Sequence, residues 1–364
     1  MSQAQSNPSY IEIGLIGEYS LGGLCFFSAL VIFSLIFYHK PNTKIESQLY
    51  WFFALILVIF SAIRPIGLSR DDLHYLEISK NICSIVECIQ LIQGSRDWGW
   101  YLFVALLKSA MPAERAILVL SGICTFIQLL IIDRLCRHKL LALTLFIPLS
   151  YLYYDFTLLR AGLALTVFFM AFYFLVRSKQ FLGSTLLLSN YFFHSQGIFS
   201  IGLILFNQIS RYKYIGIIVI TLLVIFIYLE WTPSFEQLLP LSKNESAPYW
   251  DQYRQGLFDN QINFPLAHLL IIGYVIFILL INDSTTEEKN RDQLAFASIL
   301  LAIFLAWFFA PIHAIQTRLF DFYAAPLVFL AGNLRGPRIT QGITLLIAIL
   351  LYIRMEFLHN WIIG

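Results

Sequence analysis

Apolar and polar residues fall along this chain in long blocks. Runs of Leu, Ile, Phe, Val and Ala are broken by short polar stretches. Several runs reach the roughly 20 residues that a helix needs to cross a bilayer. In lipid every backbone polar group must be satisfied internally, so these runs predict helices. The spans expected lie near 16–38, 49–66, 113–132, 140–155, 158–176, 180–194, 195–210, 213–231, 264–281, 293–311, 316–333 and 340–357. That makes about twelve membrane helices, the shorter ones tucked inside the bundle. A further apolar stretch, Trp98 to Met111, is too short to span and is expected as a re-entrant or surface-lying helix.

The predicted fold class is an all-α polytopic integral membrane protein. It has a single membrane domain over residues 1–364 and two outer loops, 67–97 and 232–263. Composition strengthens this reading. Hydrophobic residues make up 59% of the chain and charged residues 13%, with a mean hydropathy of +0.73. Soluble domains carry about twice that charged share. A net charge of +2 gives no sign of a nucleic-acid partner.

Charge then sets the threading. Cytoplasmic loops of membrane proteins are enriched in Lys and Arg. Leaving Trp98–Met111 out of the spans places six basic pairs or clusters on one side. They are Lys40 and Lys44; Arg134, Arg137 and Lys139; Arg177 and Lys179; Arg211 and Lys213; Lys289 and Arg291; and Arg335 and Arg338. Both termini and both long loops fall on the other, outer side. So do Arg64, Arg70, Arg160, His194, His313 and Arg318. Cations held there need another explanation, and an anionic ligand at a membrane surface is the obvious one.

Each candidate has a bland reading beside the functional one. Arg64, in Ser61-Ala62-Ile63-Arg64-Pro65, either binds an anion or snorkels. Arg70 either joins it or pairs locally with Asp71 or Asp72. Arg160 is surrounded by apolar residues, where exposing a charge to lipid costs several kcal/mol. Its structural alternative is a pair with Asp155. Arg318 either faces a cavity or pairs with Asp321 one turn on. His194 sits where two short spans meet and could deprotonate a sugar hydroxyl, or could be structural. Asp71 and Asp72 compete for that base role. Arginine suits phosphate because its planar fork binds two oxygens at once and stays charged.

The second loop carries Tyr249, Trp250, Tyr253, Arg254 and Phe258 among Asn, Asp and Gln. Rings that stack on sugar faces and amides that bond hydroxyls suit a glycan, as they also suit an interfacial aromatic belt. The five cysteines form no metal pattern. Cys83 and Cys88 share the first loop, where an extended segment permits a disulfide and a helix forbids one. There is no HExxH, no DxD-like site, no glycine-rich phosphate loop and no nucleophile elbow. No metal and no cofactor is expected.

Four segments together resemble the EpsG-type family of bacterial polysaccharide membrane proteins, which overlaps the Wzy polymerases of O-antigen and capsule. Arg70-Asp71-Asp72-Leu73-His74-Tyr75 resembles the family's Asp-x-x-x-Tyr loop. Leu159-Arg160-Ala161-Gly162-Leu163-Ala164 resembles its Arg-x-Gly-Leu-Ala segment. His194-Ser195-Gln196-Gly197 is similar to its His-Ser-Ala segment, with Gln196 in place of the small residue. Arg318 with Tyr323 resembles its late Arg–Tyr segment. Where the family shows Glu with Pro or Gly before the short helix, this chain has Arg96-Asp97-Trp98-Gly99-Trp100.

The resemblance implies a polymerase on the outer face of the bacterial inner membrane. Its partners would be an undecaprenyl-diphosphate-linked oligosaccharide donor and acceptor, the lipid bilayer, and a chain-length regulator protein. Arg160, Arg318, His194, Asp71 and Asp72 would be catalytic. Arg64, Arg70, Tyr75, His313, Tyr323, Tyr249, Trp250 and Arg254 would bind substrate. A flippase for the same lipid-linked sugars is the alternative. It predicts cations spread through the depth of the bundle and an internal repeat, and no repeat is evident.

Overall fold

The computed structural model describes residues 10–38, 43–68, 72–81, 97–229, 266–281, 286–310, 313–335 and 338–354. Regular structure among them is entirely helical. The predicted second outer loop, most of the first, and Arg70, Asp71, Cys83, Cys88, Tyr249, Trp250 and Arg254 lie outside the described residues. So does the side chain of His313.

The chain begins with α1 (Tyr10–Phe37), α2 (Lys44–Ile63) and α3 (Asp72–Asn81). The hydroxyl of Thr43 caps α2 by accepting from the Glu46 N–H at 3.1 Å. Pro65 forces the residue before it out of helical conformation, so α2 stops at Arg64. The next helices are α4 (Trp98–Lys108), α5 (Ala113–Leu135) and α6 (Lys139–Phe146). A π-helical segment continues α6 from Ile147 to Asp155, and α7 (Leu159–Val176) and α8 (Gln180–Ser189) follow. Two 3-10 turns, Asn190–Phe192 and Ser195–Ile201, lead into α9 (Gly202–Ile209). The remainder is α10 (Lys213–Tyr228), α11 (Leu266–Ile281), α12 (Thr286–Phe308), α13 (His313–Ala324), α14 (Leu327–Ala331) and α15 (Arg338–Ile353).

By length and composition, four stretches among the described residues could cross a membrane: Lys44–Ile63, Ala113–Leu135, Leu159–Val176 and Glu288–Phe308. Five shorter apolar stretches, among them Gly22–Phe37 and Ala267–Ile281, accompany them. This is the helical membrane protein expected, with four full-length and five shorter apolar helices among the described residues. The expected spans 180–194, 195–210 and 316–333 are interrupted, and 140–155 is helical throughout but changes from α to π at Ile147. Pro148 and Pro326 each remove a backbone donor inside an apolar run. Beyond Pro148 the backbone turns π-helical. The Phe156 N–H reaches Tyr151 O at 2.9 Å and the Leu158 N–H reaches Tyr153 O at 2.9 Å, each five residues back. The Trp98 run is an 11-residue helix, about 16 Å long, which is half a hydrocarbon core.

One large core, rich in Phe and Tyr, holds these pieces. It includes Phe168, Phe169, Phe172, Phe296, Phe320, Phe322 and Phe329, all fully buried. The two ends of the bundle differ. At one, Lys139 pairs with Asp133 at 2.7 Å and Arg335 with Glu288 at 2.8 Å, and Asn290 caps the carbonyls that end α7. Arg137, Arg177 and Lys289 lie at the same end, as the charge pattern predicts. A cavity of about 130 Å³ opens there beside Arg211, Lys213 and Lys289. The opposite ends of α2 and α7 hold Arg64 and Arg160.

Candidate functional site

Arg160 stands in the first turn of α7. A cation is unfavourable at a helix N-terminus, where the dipole is already positive. Asp97 offsets it: its carboxylate meets the Arg160 guanidinium at 2.9 Å. Asp97 is the residue just before α4, so the short helix delivers an acid to the start of a long one. The Tyr75 ring lies 5.5 Å from the same guanidinium, a cation–π distance. Tyr75 is itself buried, 5.7 Å from the Trp100 ring.

His194 sits on the turn between the two 3-10 segments. Gly99 of α4 packs so closely on this turn that a Cβ there would come 2.7 Å from the Phe193 ring. The Trp98 and Phe192 rings meet at 4.7 Å. Tyr323 holds the turn from the other side, donating to Gln196 O at 2.7 Å. Ser200 bridges the Tyr323 hydroxyl at 3.2 Å to the Asn190 amide at 2.9 Å. His194 Nδ1 accepts the backbone N–H of Gln196 at 3.2 Å.

Arg318 projects from the middle of α13 beside the Tyr153 hydroxyl, and its side chain keeps solvent access. Its carbonyl accepts from Tyr154 at 3.0 Å, which ties α13 to the π-helical segment. Arg160 and Arg318 both act on His194. Desolvation first, then the fields of these two arginines, push its imidazole pKa down to about 3. Two arginines, each from a different helix, thus bear electrostatically on one histidine.

Other expected site residues are committed within the fold. Arg64 is buried and bidentate to Asp72, with one nitrogen at 2.8 Å and the other in closer contact. It also donates to Phe156 O at 2.7 Å and stacks 4.3 Å from the Phe156 ring. Both side chains of the pair are fully enclosed. Arg64 and Asp72 therefore neutralise each other inside the fold. Tyr323 is likewise buried, with its hydroxyl spent on the His194 turn. It braces the turn that carries His194. Tyr75 packs under Arg160.

One expected local pair is replaced by a distant one, and Asp321 gains a partner from another helix. Asp155 takes Gln128 at 2.8 Å, not Arg160. Asp321 takes His268 at 2.9 Å. Asp97 is the site residue that sequence reasoning left aside. Its signal was an acid just before the short helix, in Asp97-Trp98-Gly99-Trp100. Among the described residues no group of three or more His, Cys, Asp or Glu could hold a metal ion.

A family model described as the EpsG family matches residues 47–363. The chain belongs to the EpsG family. Members are Wzy-like polysaccharide polymerases, and the match runs through every segment that builds the cluster. Neither curated proteins nor solved structures give a match. Within this EpsG-family protein Arg160 and Arg318, each more than thirty residues from His194 in the chain, both act electrostatically on its imidazole.

Proposed function

We propose that this protein joins polyprenyl-diphosphate-linked oligosaccharide repeat units into a polysaccharide. The lipid is undecaprenyl diphosphate and the site faces the periplasm, away from the basic end of the bundle. The observation that carries the reading is that Arg160, held by Asp97, and Arg318, from another helix, both act on His194, whose Nδ1 accepts the Gln196 N–H. A donor sugar activated by diphosphate needs no nucleotide and no redox group. The acceptor hydroxyl attacks the anomeric carbon, and the bond to the diphosphate oxygen breaks. Negative charge grows on that oxygen, and preorganised cations stabilise it as it forms. Each well-placed donor of this kind contributes about 3 kcal/mol to lowering the barrier. Asp97 holds Arg160 in place until the diphosphate arrives.

The test is a glycan gel from cells that lack the protein and carry the wild type, Arg160→Ala or Arg318→Ala at matched abundance. Each variant is expected to cut polymer by about a hundredfold and to leave single repeat units on the outer face. Long glycan persisting in both variants would remove the diphosphate reading. Single units retained on the cytoplasmic face would make the protein a flippase.

A further inference from the structure

We infer that His194 acts as a neutral hydrogen-bond donor, offering Nε2–H to an oxygen of the bound diphosphate, and does not act as a general base. This rests on the polymerase reading and names the role of one group within it.

The tautomer follows from geometry. A backbone N–H can only donate, and the Gln196 N–H is aimed at Nδ1. Nδ1 must therefore present a lone pair, and in a neutral imidazole the proton is then on Nε2. The turn enforces this arrangement. Gly197 approaches Asn190 O so closely that a Cβ would collide, and Tyr323 pins Gln196 O. Gln196 cannot swing away without breaking both contacts.

Nε2 has no hydrogen-bond partner among the described residues. A charged imidazolium is disfavoured here by Arg160 and Arg318. A carboxylate facing Nε2 would turn the ring into a base of the Ser-His-Asp kind. The charged groups acting on His194 are instead two arginines, and Asp97 is turned toward Arg160. A neutral N–H donor within the field of two arginines suits a multiply charged oxygen cluster.

The step balances without a protein base. The acceptor oxygen forms its bond to the anomeric carbon, and the electron pair of the broken bond stays on the diphosphate. The released diphosphate gains one negative charge and takes the proton that the hydroxyl loses. His194 keeps its own proton throughout.

Two measurements on the full-length protein in lipid test this. The first compares polymerisation by His194→Gln and His194→Ala at matched abundance. A Gln amide can reach the Nε2 position with a donor but cannot serve as a base. His194→Gln is expected to stay within about tenfold of wild type, and His194→Ala to fall about a hundredfold. His194→Gln as inactive as His194→Ala overturns the donor role.

The second is nitrogen NMR of labelled histidine, with the His194 signal assigned by its loss in His194→Gln. A neutral, Nε2-protonated ring between about pH 5 and 8 is expected. An Nδ1-protonated ring, or an imidazolium near neutral pH, overturns it whether or not the protein polymerises. Should the tautomer stand while neither arginine variant affects polymer, the polymerase reading fails and the hydrogen-bonding geometry survives.

Discussion

Arg64 and Arg160 carry the same charge, and the fold uses them differently. Arg64 is enclosed with Asp72, so removing it leaves a buried carboxylate unpaired. Arg64→Ala should cost about 3–5 kcal/mol and empty the protein from the membrane, read as abundance and thermal unfolding. Arg64→Met with Asp72→Leu should recover most of that loss, because no charge is then stranded. Arg160 and its partner keep some solvent access, so their pair is worth less to stability. Asp97→Asn should shift unfolding by about 1 kcal/mol or less, and its larger effect should be on polymer yield, through a looser Arg160.

His194 gives the pH dependence a sign. Its folded pKa lies below the unfolded value, so the unfolded chain takes a proton that the folded one refuses. Stability is complete above about pH 6.5 and declines as pH falls toward the folded pKa. Melting curves at pH 7 and pH 5 should show a smaller acid loss in His194→Gln than in wild type.

At the scale of elements, the apolar runs predicted α2, α5, α7 and α12 well, since each is long, uniform and flanked by polar residues. The short runs were less legible, because hydropathy cannot distinguish a span from a buried, broken helix. Pro148 and Pro326 carry the physical reason: each deletes a ladder donor, and the chain answers with a π-helical segment or a break. These irregular pieces carry much of the site. The π-helical segment supplies Tyr153 and the Tyr154 hydroxyl that bonds Arg318 O, and the 3-10 pair presents His194. Tyr323→Phe should therefore cost about 1 kcal/mol of stability and lower polymer yield without altering membrane insertion. Gly197→Ala, which places a methyl against Asn190 O, should be more damaging than Tyr323→Phe in the same gel.

Across the whole molecule, the charge pattern predicted two unlike ends, and the helices place those charges at two unlike ends. Ser195 and Lys179, both exposed, mark them. In a background without the five native cysteines, Ser195→Cys should react with an impermeant thiol reagent from the periplasm, and Lys179→Cys only after lysis. Labelling of both from one side would undo the proposed orientation. By itself the sequence determined the class, the long helices and the uneven distribution of charge, because hydropathy and charge act locally and add along a chain. It also singled out Arg160, His194 and Arg318. Only the tertiary structure decided that Arg64 belongs to Asp72, that Asp97 belongs to Arg160, and that Gln196 fixes the proton on His194. Those choices depend on which helix ends meet, and pairings across the chain leave no periodic trace in it.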